Sequence, residues 1–234
     1  MKSISMALSA ALIAGMTTAA TADPRLGSRL GPDLDRQYHS KASADQQARI
    51  FVSCMLKSHP ALARTMLDAT DKKVLEKTSN SLAEVDSCDK LNTDETADVG
   101  GFAYPLDILR GMVAEQLIAT RLDQAANFQR LPVARAYARP WFAMTGRDQA
   151  VDAMAVCLAD SNPAGDVVLL RAGAYSPAEM AAVQAIGPSL GQCLQAGYKL
   201  HANRQTLRAA IAEGLYHRLM DPPVPVSAPT GKQP

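Results

Sequence analysis

Few residue patterns in this chain could support chemistry. Gly187-Pro188-Ser189-Leu190-Gly191 has the Gly-x-Ser-x-Gly spacing of a nucleophile elbow, in which a strand enters a tight turn and lifts the serine above a sheet. The residues leading into it, from Ser176-Pro177-Ala178-Glu179 onward, read instead as a helix opened by a capping box with proline at its first position. Ser189 is therefore expected inside a helix, with Pro188 as a kink. Four histidines, His39, His59, His201 and His217, are scattered along the chain. Glu213 and His217 stand four residues apart, close enough on a helix to share a hydrogen bond. No third ligand accompanies them, so a surface pair is expected rather than a metal site. Neither pattern brings a nucleophile, a base and an oxyanion donor together, and no catalytic residue, metal or cofactor is assigned.

Cysteine carries a clearer message because the chain repeats itself. Asp148, Gln149, Cys157, Ser161, Pro163, Ala164, Leu170 and Ala172 match Asp45, Gln46, Cys54, Ser58, Pro60, Ala61, Leu67 and Ala69 at a constant offset of 103. Cys88 and Cys193 follow, one per copy. There is no Cys-x-x-Cys and no cysteine at ligand spacing from a histidine, which disfavours redox or metal chemistry. Four cysteines allow three pairings. If each copy folds as a unit, Cys54 pairs with Cys88 and Cys157 with Cys193, each bridge contributing roughly 3–4 kcal/mol by the chain-entropy model.

A second shared motif closes each copy: Leu109-Arg110 with Ala114-Glu115-x-Leu117, and Leu207-Arg208 with Ala212-Glu213-x-Leu215. Five positions on a helix subtend about 140°, so Arg110 and Glu115, or Arg208 and Glu213, do not share a face. The repeated pair is expected to be structural, the arginine reaching one neighbour and the glutamate another.

The connector between the copies, 121–147, holds five arginines (Arg121, Arg130, Arg135, Arg139, Arg147) and one acid, Asp123. It also holds the sole tryptophan, Trp141, near Tyr137, Phe128 and Phe142. Arginine recognises carboxylate and phosphate through its planar fork, and arginine and tryptophan are enriched at interface hot spots. Arg130, Arg135, Tyr137, Arg139 and Trp141 are therefore the candidate partner-binding residues. The competing reading is that Trp141, Phe142 and Leu131 wedge the copies together, with solvated arginines around them.

The elements that must position these groups read as helices. Alanine and leucine are abundant and aromatics make up 5% of the chain, a balance suited to packed helices. One helix is expected from Ser43 or Asp45 to Ser58, with Ile50, Phe51, Cys54 and Met55 on one face. Pro60 and Pro163 each start a shorter helix. Third helices carry Leu75, Leu82, Val85 and Cys88, and Met180, Val183, Leu190 and Cys193. The closing helices span about 105–119 and 205–219. The expected fold is all-α: two tandem, similar units of about four helices each, one disulfide per unit, forming one compact pseudo-symmetric body.

Around this core, residues 1–22 read as a cleaved signal peptide, with Lys2, an apolar stretch and Ala20-Thr21-Ala22 before the cut. Residues 23–42 read as an irregular lead-in, 43–120 as unit 1, 148–220 as unit 2 and 221–234 as a proline-rich disordered tail; 92–104 is an exposed loop inserted in the first copy. Without residues 1–22, 23 basic side chains face 23 acidic ones, which argues against nucleic-acid binding. No later segment is apolar enough to span a bilayer.

The spacings Cys157 to Pro163-Ala164, Leu190 to Cys193-Leu194 and Leu207 to Tyr216 are similar to those of small exported bacterial helical proteins with paired cysteines. That resemblance implies an envelope location, periplasmic or secreted, and supplies neither an activity nor a catalytic residue. The leading expectation is a non-enzymatic binding or interaction module whose partner is a protein or small molecule of the envelope. The alternatives are a hydrolase-like enzyme, or a carrier of a small apolar ligand in a pocket near Met112, Leu117 and Met154.

Overall fold

Two prolines set the local plan. Helix α1 covers residues 45–58, and His59 leads into Pro60, which opens α2 (Pro60–Leu67). In the second half α6 (Gln149–Ser161) gives way at Asn162 to Pro163 and α7 (Pro163–Arg171). Proline is tolerated at a helix start because its missing N–H has no intrahelical partner there. The computed structural model describes residues 45–83, 88, 105–134, 137–195, 197–200 and 202–221. The expected signal peptide, the lead-in, the loop 92–104, Arg135 and the tail beyond Asp221 lie outside the described residues.

The remaining described helices are α3 (Lys72–Ala83), α4 (Leu106–Ile118), the short α5 (Leu122–Ala126), α8 (Pro177–Cys193) and α9 (Arg204–Met220). A 3₁₀ turn, Pro140–Met144, precedes α6. Among the described residues there is no strand. Side chains begin most of these helices: Asp71 Oδ1 accepts from the Lys73 and Val74 amides, Asp148 Oδ1 from Ala150, and Asn203 Oδ1 from Thr206. At α8 the Ser176 hydroxyl accepts from the Glu179 amide, as a capping box requires. The return bond differs, because Glu179 Oε2 accepts from the Tyr175 amide rather than from Ser176. Tyr175 itself adopts a positive φ of 62°.

Helices α4 and α9 form the most extensive helix–helix contact, followed by α9 with α6. Glycine makes both possible. A Cβ on Gly111 would lie 2.2 Å from the Ala209 Cα, and one on Gly214 would lie 2.9 Å from the Ala155 carbonyl. Helical glycine ordinarily costs about 1 kcal/mol against alanine; here it lets backbones touch. One apolar cluster joins α1–α4 to one face of α9 through residues such as Met55, Met66, Val113 and Leu215. A second joins α6, α7 and α8 to another face through Met154, Leu158, Leu169 and Ile211. Helix α9 is consequently buried almost all round.

The bridges are Cys54–Cys88 and Cys157–Cys193, with Cα separations of 5.8 and 5.6 Å. Two side chains depart from the expected faces. Ile50 is 47% exposed, and Ala48 and Val52 bury in its place beside Phe51 and Met55. Met180 is 45% exposed, with Ala182 and Ile186 carrying the inner face of α8. In both helices the small or branched residues two positions away, Ala48 and Val52 about Ile50 and Ala182 after Met180, are buried instead. Among the described residues no single helix is long and apolar enough to cross a membrane. The pair α6 and α7 meets that test only jointly and bends by 106° at Asn162.

Candidate functional site

The repeated arginines and glutamates meet at the α4–α9 crossing, and they meet across the halves. Arg110 Nε donates to Glu213 Oε1 at 3.0 Å and a terminal guanidinium nitrogen donates to the same oxygen. Arg208 does likewise to Glu115, from Nε at 3.0 Å and from a terminal nitrogen at 2.6 Å. The remaining donors cap short helices, and Arg208 also donates to Glu179 at 3.1 Å. Arg110 donates to the Met66 and Leu67 carbonyls at 2.6 and 2.9 Å, and Arg208 to those of Leu169 and Leu170, both at 2.9 Å. These are last-turn carbonyls of α2 and α7, which lack intrahelical partners and carry the negative end of the helix dipole. Only arginine has enough donors in a fixed plane to serve a carboxylate and two carbonyls together. Arg110 and Glu213 are both fully buried.

Each glutamate holds a second arginine. Arg147 bridges Glu213 to Asp152, and Arg49 bridges Glu115 to Asp45. Burial alone would raise Glu213, yet Arg147 and Arg110 outweigh it and hold the carboxyl below the ordinary glutamate value. Glu115 is lowered in the same way, against burial, by Arg208 and then Arg49. Burial would lower Arg147, but Glu213 and Asp152 raise it. Arg147 is therefore an interior ion-pair residue, where a solvated connector arginine was expected. Glu213 and His217 are likewise no surface pair. The His217 Nε2 stands 4.0 Å from Glu213 Oε1 with its side chain 15% exposed, and burial pushes its pKa down to about 4.

The connector lies against the second half. The Leu131 amide donates to the Asp160 carbonyl, the Tyr137 hydroxyl to Asp160 Oδ2 at 2.9 Å, and Arg218 to the Gln129 carbonyl. Trp141 is 6% exposed and packs with Phe142, Ala153 and Val156. Its ring stacks on His217 at 4.2 Å between centroids, with planes 12° apart. Arg130 and Arg139 are exposed. The candidate partner residues thus divide: Trp141 and Tyr137 are packed, Arg130 and Arg139 face outward, and Arg135 lies outside the described residues.

Beside the Trp141–His217 stack is a cavity of about 120 Å³ lined also by Arg139, Asp160, Gly214, Arg218 and Asp221. Asp160 and Arg218 are occupied with each other at 3.5 Å and with Tyr137 and carbonyl groups. Arg139 lies 5.9 Å from the Tyr137 ring. Among the described residues, neither its guanidinium nor the Asp221 carboxylate has an ion-pair partner. By contrast, the pocket at the α4–α9 crossing holds about 10 Å³ and is ringed by Arg49, Glu115, Glu179 and Arg208, room for about one water. Met112 and Met154 are core side chains of different clusters.

Ser189 sits within α8, where its hydroxyl accepts from the Asn162 side chain at 3.2 Å. Among the described residues no group of three His, Cys, Asp or Glu side chains is placed to hold a metal. Sequence reasoning missed Arg147, Asp160, Arg218 and Asp221. The second acid–arginine couple at each glutamate was findable, because an acid and an arginine stand near the start of both first helices, though in opposite order. No family model, curated protein or solved structure matches the chain.

Proposed function

We propose that the protein is an exported, non-enzymatic binding module of the bacterial envelope, built as two tandem helical units about an approximate two-fold axis near Gly111 and Ala209. Its binding face is the cavity beside Trp141. One observation carries the reading: the charges of the repeat motif are consumed by one another inside the protein, whereas Arg139 and Asp221, beside an aromatic stack, have no ion-pair partner among the described residues. The two disulfides suit an oxidising compartment, and residues 1–22 have the pattern of an export signal. The two-unit reading is supported by equivalent arginines capping equivalent helices.

Affinity capture from envelope extract tests the binding reading, comparing the processed protein with Arg139→Ala and Arg130→Ala. A ligand or partner retained by the parent and by Arg130→Ala but lost by Arg139→Ala supports the cavity as the binding face. Equal retention by all three places binding elsewhere. N-terminal sequencing of the exported protein should begin at Asp23.

A further inference from the structure

Resting on that binding reading, we infer that the cavity beside Trp141 takes a small zwitterion of amino-acid size, its carboxylate on Arg139 and its ammonium on Asp221. Four charged side chains line the space, two of each sign: Arg139, Arg218, Asp160 and Asp221. Two are already spent. Arg218 is held by Asp160 and by the Ala159 and Gln129 carbonyls, and Asp160 also accepts from Tyr137. Among the described residues, what remains for a ligand is one cation and one anion.

A simple anion would satisfy Arg139 while adding repulsion at Asp221, and a simple cation would do the reverse. A molecule carrying both charges satisfies both. Charge-assisted hydrogen bonds of this kind are the stronger ones. The apolar part of the wall is Trp141, Val156 and Pro140. About 120 Å³ is several times what one water needs, yet small for a drug-sized ligand. His217 contributes an uncharged ring at neutral pH, since burial holds its pKa near 4, so it does not upset the balance of charge.

The sole tryptophan lines the cavity and provides the readout. Fluorescence of the processed protein is titrated at pH 7 with L-alanine, with propionate, which lacks the ammonium, and with ethylamine, which lacks the carboxylate. L-alanine is expected to saturate the signal at concentrations about tenfold or more below either fragment. Arg139→Ala and Asp221→Asn should each weaken L-alanine by a similar factor while keeping the parent's melting temperature, both residues being exposed. Propionate or ethylamine binding as tightly as L-alanine would overturn the zwitterion assignment and leave the cavity as a binding face. No response to any of the three, together with capture that is indifferent to Arg139→Ala, would overturn both.

Discussion

Glu115 and Glu213 occupy corresponding places in the two closing helices, and each is held by two arginines, yet their surroundings differ. Glu213 is fully buried, between Arg110 and Arg147. Glu115 keeps 15% of its side chain exposed, and its partner Arg49 keeps 21%. The second half adds His217 and Asp166 where the first has Ala119 and Ala63. The glutamate held by two arginines is therefore a sealed core at one node and a half-open one at the other, where Arg208 also pairs with Glu179. The cost of disturbing a charge should follow that difference, because a buried ion left unpaired loses far more than an exposed one.

The largest effect expected is from Arg110→Ala. It leaves Glu213 with Arg147 on one oxygen, strips the donors from buried Glu213 Oε1 and from the Met66 and Leu67 carbonyls, and should cost about 3–5 kcal/mol in denaturant unfolding. Arg49→Ala at the half-open node leaves Glu115 with Arg208 and some solvent, and should cost about 1 kcal/mol. Equal losses would erase the distinction between the nodes.

Acid sensitivity should also belong to the Glu213 node. His217 has a folded pKa of about 4 against an ordinary 6.5, so as pH falls below 6.5 the unfolded chain takes up the proton first. Stability from this group is present at neutral pH and drains away between about 6.5 and 4, by at most about 3 kcal/mol. His217→Asn should flatten the stability profile across that window, measured by denaturant midpoints. An unchanged slope would show that the histidine is not held neutral.

The smallest effect concerns Asp166, fully buried, neither of its carboxyl oxygens having a hydrogen-bond partner among the described residues. Burial raises its pKa well above the ordinary aspartate value, against the pull of Arg218. An acid with a raised folded pKa loses stability as pH rises above its unfolded value. Asp166→Asn cannot ionise, and should melt at a modestly higher temperature than the parent at pH 7 but not at pH 3. A lower melting temperature at pH 7 would mean that the carboxylate has a stabilising partner.

What the sequence revealed follows from what repetition can carry. The pairing of Cys54 with Cys88 and Cys157 with Cys193 was legible because two copies with similar spacing single out one of three connectivities. The helices were legible from Pro60, Pro163 and the Ser176 cap. The exchange of partners across the halves was not. Arg110 and Arg208 look alike in sequence, and nothing in one copy says that its arginine reads the other copy's glutamate. The outer partners left a trace in the sequence, Asp45–Arg49 in one half answered in reversed order by Arg147–Asp152 in the other. The cavity was less legible still. Asp160 comes from a different helix than Arg218 and Asp221, and the first copy places Lys57 and Thr120 opposite Asp160 and Arg218, so that only Asp221 is answered in kind, by Asp123.

Exchange across the halves is the claim on which the architecture rests, and two double-mutant cycles address it directly. One combines Arg110→Met with Glu213→Gln, the other Arg110→Met with Glu115→Gln, with unfolding free energies measured at pH 7. Contacting charges should show a coupling of about 1–3 kcal/mol, and non-contacting ones less than about 0.5 kcal/mol. Strong coupling of Arg110 to Glu213 and little to Glu115 is the predicted result. The reverse, with Arg110 coupled to the glutamate of its own helix, would contradict the crossed network.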